Sequence, residues 1–139
     1  MKDHCVFCQI VVGRIPASPI IENDAVLAFL DIAPINPGHT LVIPKVHIAE
    51  LSGLDDELGV ALWRVVLRIE RALRSSGIKV EGTNLFVANG ATAGQEVFHS
   101  HIHVIPRLPD DGLHIRTEPG SQPSREELDW VAQKIRAAL

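Results

Sequence analysis

A chain of 139 residues has the length of one ordinary domain and is too short for two. Hydrophobic residues make up 46% and charged residues 22%, which supplies a core and excludes a disordered chain. Thirteen Lys and Arg against seventeen Asp and Glu leave a net charge of −4, which argues against a general grip on nucleic acid or an anionic membrane, so a bound phosphate must be held locally.

In chain order, the first ten residues carry Asp3, His4, Cys5 and Cys8 in place of an apolar leader core. Two cysteines cannot build a disulfide framework, and the spacing Cys5-x-x-Cys8 points to metal or redox chemistry. No stretch approaches the roughly 20 apolar residues that span a bilayer, so a cytoplasmic protein is expected. Two apolar runs, 19–21 and 25–32, flank Glu22-Asn23-Asp24, a polar break suited to a hairpin. Pro34, Pro37 and Gly38 interrupt the chain before a β-branched run at 39–43, closed by Pro44 and read as a third strand. Over 55–74, Leu58, Leu62, Val65, Ile69 and Leu73 recur at spacings of three and four, which predicts a helix with Gly77 as its stop. Residues 83–88 read as a fourth strand and 98–105 as a fifth, ended by Pro106. A Pro-, Asp- and Gly-rich segment at 109–123 precedes Ser124-Arg125-Glu126-Glu127, a capping box that opens a terminal helix. The sum is a single domain over 1–139 of α+β class: a five-stranded antiparallel sheet, one long helix between strands 3 and 4, and a C-terminal helix within an extension at 109–139.

The run His99-Ser100-His101-Ile102-His103 places three imidazoles at i, i+2 and i+4. On a strand they leave one face while Ser100 and Ile102 leave the other. Solubility gives no reason to prefer a row of His over Lys, Thr or Glu. One chemistry that fits is a metal site, with two strand histidines and a further ligand from elsewhere. The other is nucleophilic: a neutral imidazole, with an ordinary pKa of about 6.5, attacks phosphorus without a base while its neighbours orient it.

This run, with Gly94-Gln95 before it and Pro37-Gly38-His39-Thr40-Leu41-Val42-Ile43-Pro44-Lys45 upstream, resembles the histidine triad (HIT) nucleotide-binding family, in its bacterial-type branch with an N-terminal Cys-x-x-Cys. The resemblance extends over 5–107. It implies a small homodimer that hydrolyses or transfers nucleoside monophosphates through a nucleotidyl-histidine intermediate, on a purine nucleotide substrate. Matched by position, His101 is the nucleophile and His39 and His103 support it. Asp31 matches the ribose-binding aspartate, and a carboxylate can accept from two adjacent hydroxyls; on its own residues Asp31 is equally a strand-end Asx turn. Phe7, Ile10 and Ile32 match the apolar residues around the base, and Asn89 and Gln95 the polar residues near the phosphates. Without the resemblance the first three read as core and the two amides as loop caps. Glu96 stands where the best-known branch has a serine, and a carboxylate there repels a phosphate, which points to a different leaving group or to Glu96 facing elsewhere. Ser100 is polar where the pattern is apolar, on the side away from the imidazoles.

A closed zinc site needs two ligands beyond the Cys5 and Cys8 thiolates, commonly His. Zinc-binding branches of the family, galactose-1-phosphate uridylyltransferases among them, use a similar Cys-x-x-Cys with two histidines, one being the first of the histidine strand. The resemblance therefore implies a structural Zn²⁺ on Cys5, Cys8, His47 and His99, with His101 metal-free; two packed thiols beside Phe7 are the alternative. A redox protein is disfavoured because no strand precedes the motif. A regulatory nucleotide-binding module with little turnover is the alternative function, and His101 favours the enzyme. The chain has no Gly-rich Lys-Ser/Thr loop or carboxylate cluster for Mg²⁺, so catalysis without a divalent cation is expected. Arg64, Arg68 and Arg71 read as a solvated helix face, not a nucleic-acid surface. A homodimer through 55–74 and 83–88 would protect an open sheet edge.

Overall fold

The computed structural model describes residues 4–114, 120 and 122–139. Asp3 and part of the segment expected at 109–123 lie outside the described residues.

The first hairpin forms where the polar break predicts it. β1 (Pro19–Glu22) and β2 (Val26–Leu30) flank Asn23, whose Oδ1 accepts from the backbone N–H of Ala25 and Val26 at 2.9 and 2.8 Å, an Asx turn that satisfies the corner. β3 (Thr40–Pro44) pairs with β2, and after the long helix β4 (Gly82–Phe86) pairs with β5 (Ile102–Arg107). All pairings are antiparallel, in the order β1-β2-β3-β5-β4.

Period-two alternation gives the sheet two apolar faces. Val26, Ala28, Val42, Ile102 and Val104 pack against α2 (Asp56–Ser75), which buries Leu62, Val65, Val66, Ile69 and Leu73. Each such aliphatic contributes about 1.5–3 kcal/mol of transfer free energy, and five on one stripe hold the helix in place. Asp55 caps it by accepting from Leu58 N–H at 2.8 Å. On the opposite face Leu27, Phe29, Leu41 and Ile43 meet Phe7 from α1 (Val6–Val11), a short helix that sequence patterning did not reveal. The terminal helix α3 (Arg125–Arg136) carries the expected capping box, with Ser124 and Glu127 bonded reciprocally, and buries none of its residues.

Two boundaries differ from expectation. β5 begins at Ile102 and runs through Pro106, instead of occupying 98–105. Pro44 offers no N–H to extend the β3 ladder, and the chain before Ile102 is held otherwise: Ser100 N–H donates to the Ile48 carbonyl at 2.6 Å. At Pro106, β5 has run past the end of its pairing with β3 at Thr40, so no ladder bond is lost on that side. β4 likewise ends at Phe86 rather than at 88.

Gly38 has φ +91°, and a Cβ there would lie 2.8 Å from Leu73 Cδ2. Only glycine fits where this turn delivers His39 to β3 over the end of α2.

Candidate active site and metal centre

One rung of the sheet sets the floor of the site. Phe29, Leu41, His103 and Phe86 are successive cross-strand partners, and all four line a cavity of about 800 Å³ between the sheet and α1. That volume suits a nucleotide-sized ligand. Phe7 and Ile10 line it from α1, Asp31 and Ile32 from the end of β2, and His101 from just before β5. Ile32 is fully exposed at the mouth, whereas Phe7 is buried. Ile15, Pro16, Ala17 and Ser18 also line the cavity; no periodicity or motif marks them in the sequence.

Hydrogen bonds fix the histidine tautomers. His101 Nδ1 lies 2.7 Å from the His99 main-chain oxygen, which can only accept, so Nδ1 carries the proton and Nε2 keeps its lone pair. His39 Nδ1 accepts from Ile35 N–H at 3.2 Å, so its Nε2–H donates to His103 Nδ1 at 2.9 Å. Neutral His103 therefore keeps one donor, Nε2–H. Burial lowers its pKa to about 4, helped by the neighbouring His101 and His39 and opposed by Asp31. Burial also lowers His39, with Asp31 pulling the other way. The rings of His101 and His103 are 5.0 Å apart, and Phe7 sits edge-on to His101 at 5.2 Å. His99, His101 and His103 thus share one side of the chain, although only His103 lies within β5.

Asp31 Oδ1 closes the Asx turn on Ala33 N–H at 2.9 Å, while Oδ2 lies 3.6 Å from His39 Nε2 and 4.0 Å from His103 Nδ1. Asn89 and Gln95 are not among the cavity-lining residues. Asn89 Oδ1 accepts from Leu51 N–H at 2.7 Å; buried Gln95 accepts from Gly90 N–H and donates to the Ala49 and Val97 carbonyls. Both amides tie the 45–51 loop to the 89–97 loop. Glu96 does line the cavity.

Cys5, Cys8, His47 and His99 converge behind Phe7, all four ligand atoms within 4.8 Å of one another. Sγ of Cys8 lies 3.3 Å from His47 Nδ1 and 3.7 Å from His99 Nδ1; Sγ of Cys5 lies 3.5 Å from His99 Nδ1. Around tetrahedral zinc, with bonds of about 2.3 Å to sulfur and 2.05 Å to nitrogen, the S···N edge is about 3.6 Å. On these three edges the donors are spaced as the ion requires. His99 Nε2 donates to the Pro44 carbonyl at 2.8 Å, which leaves Nδ1 unprotonated toward the thiols, the orientation a metal-ligating imidazole needs. Burial pushes the Cys5 thiol up and the His99 imidazole down.

Sequence reasoning missed a polar network at the far end of β5. Arg107 pairs with Asp111 through Nε at 2.6 Å and bonds Asn84, while buried Asn36 donates to Asp111 and to the Pro106 carbonyl. It anchors the chain after β5, and no motif spacing announces it. His4 and His114 are exposed.

The HIT domain family model matches residues 12–110, and the chain belongs to the HIT family. It is similar to the crystal structure of a HIT family member from Bacillus subtilis, at 39% identity and TM-score 0.92, covering 99% of this chain and 98% of that one. A Zn-bound histidine triad family protein from Mycobacterium smegmatis is 41% identical with TM-score 0.76, covering 98% of each chain. Adenylylsulfatase HINT3 of Arabidopsis thaliana is 40% identical over 116 residues, 81% of this chain and 57% of that protein. Family and relatives support nucleotide hydrolysis as the general activity.

Proposed function

We propose that this protein cleaves a nucleoside 5′-monophosphoryl bond, of phosphoramidate or dinucleoside polyphosphate type, through a nucleotidyl-histidine intermediate. The observation that carries the reading is the bond from His101 Nδ1–H to the His99 carbonyl, which leaves Nε2 as an unprotonated nucleophile in a ring that lines the cavity. A purine base lies among Phe7, Ile10 and Ile32, and its ribose diol donates to Asp31. Nε2 of His101 attacks the α-phosphorus; the N–P bond forms as the bond to the leaving group breaks, and that group departs with the electron pair. His103 Nε2–H, positioned by His39, donates to a phosphoryl oxygen as charge develops there. Water then attacks phosphorus, loses a proton and returns the electron pair to Nε2. Asn89 and Gln95 shape the loop beside the phosphates.

With a fluorogenic adenosine phosphoramidate, the wild type releases the amine and His101→Asn loses more than about 10³-fold in turnover, as removal of a nucleophile does elsewhere, while still binding AMP. Turnover by the variant close to wild type refutes the assignment.

Cys5, Cys8, His47 and His99 are proposed to hold a structural zinc ion. Four protein ligands leave no open position, so zinc there supplies folding energy and pins α1, with Phe7 and Ile10, beside His101. The molecule is further proposed to be a homodimer: β4 is an edge strand with Leu85 and Phe86 exposed, and α2 turns Val60, Trp63 and Leu67 outward. Two cysteines outside any disulfide suit the reducing cytoplasm, which is the proposed location. Residues 1–139 are read as one domain, with 109–139 an extension.

A further inference from the structure

The cavity that holds His101 is lined, among the described residues, by two side chains of formal charge, Asp31 and Glu96, and by no Lys or Arg. Arg107, the cation of β5, is committed to Asp111 outside this cavity. Asp31 belongs to the ribose end, with its oxygens turned to Ala33 N–H and the His39–His103 pair. Glu96 is exposed and lies five residues before His101, on the loop that brings the chain into the histidine row. A carboxylate only accepts hydrogen bonds. A departing phosphate or polyphosphate also presents only acceptors under negative charge, so Glu96 repels it and cannot bond to it. A leaving group that carries an ammonium presents donors and the opposite charge.

We infer that Glu96 selects the leaving group by charge, so that among nucleoside 5′-phosphoramidates those whose amine bears a further ammonium are cleaved in preference to those whose amine bears a neutral or anionic group. This rests on the nucleotidyl-histidine reading above. In the step concerned the P–N bond breaks as His101 Nε2 bonds to phosphorus. The amine nitrogen keeps the bonding pair and takes one proton from solvent, and the water that later releases AMP returns one proton to solvent. Meanwhile the second, charged amino group pairs with Glu96.

Three adenosine 5′-phosphoramidates test this, their amines carrying the same two-carbon arm ended by an ammonium, a hydroxyl or a carboxylate, with diadenosine triphosphate alongside. For the wild type, kcat/KM should fall in that order, with the ammonium form at least about tenfold above the carboxylate form at low salt. The ratio should shrink as ionic strength rises. In Glu96→Gln it should collapse toward one, and in Glu96→Lys it should invert. A flat series in the wild type, a preference for the carboxylate form, or a ratio unchanged in Glu96→Gln overturns the inference while leaving the histidine chemistry standing. Turnover of none of the four substrates refutes both.

Discussion

Acidification should destabilise this fold through one histidine in particular. His103 has its pKa lowered from about 6.5 in the unfolded chain to about 4 in the fold, because burial disfavours the charged ring, helped by the neighbouring His101 and His39 and opposed by Asp31. A base with a depressed folded pKa stabilises the fold above its unfolded value and loses that contribution as pH falls through the window from 6.5 to 4, where the unfolded chain binds the extra proton. A 2.5-unit difference corresponds to about 3 kcal/mol over the whole window, of which about 2 kcal/mol is lost between pH 7 and pH 5. The measurement is urea unfolding at pH 7 and pH 5 for the wild type and for His103→Gln, whose amide oxygen still accepts from His39 without titrating. Subtracting the two pH dependences removes the titrating groups that do not interact with His103. The wild type should lose about 2 kcal/mol more than the variant across that interval, and the His103 ring resonances should stay in the neutral position down to about pH 5. Parallel pH profiles, or a His103 titration near 6.5, would refute the reasoning.

Purification without chelator should yield close to one zinc per chain, and Cys5→Ser should lower both zinc content and thermal stability; well under one zinc, with stability unmoved, removes the metal site. Gly38→Ala meets both a left-handed backbone and the Leu73 side chain, so it should cost about 2 kcal/mol or more in chemical denaturation. Light scattering should report a dimer at micromolar concentration, and Trp63→Asp on the outward face of α2 should shift it to monomer; a wild-type monomer counts against the proposed interface.

What was readable in the sequence was what repeats locally. Leu58 to Leu73 mark α2 because a helix face recurs every three to four residues, and Asn23 marks the first turn because its side chain bonds its own backbone. The start of β5 was not readable, since it depends on Pro44, a partner more than fifty residues away. α1 escaped notice because six residues carry too little periodicity. Within the site, the histidines and cysteines announced themselves by spacing, and the four zinc-ligand candidates do meet in space. The cavity wall at 15–18 did not, because loop residues that face a cavity carry no pattern of their own. The tautomers of His39, His101 and His103 follow from main-chain and ring contacts that no linear pattern encodes.

His99 reaches three ways: Nδ1 toward the thiols, Nε2 to Pro44, and its main-chain oxygen to the ring of His101. The first two vanish with the side chain, but the third belongs to the peptide bond, which every residue possesses. Exchanging the side chain at this position therefore removes both ring contacts without rewriting the proton that keeps the neighbouring ring poised. What orients the His101 ring is carried by the path of the backbone and not by the letter at residue 99.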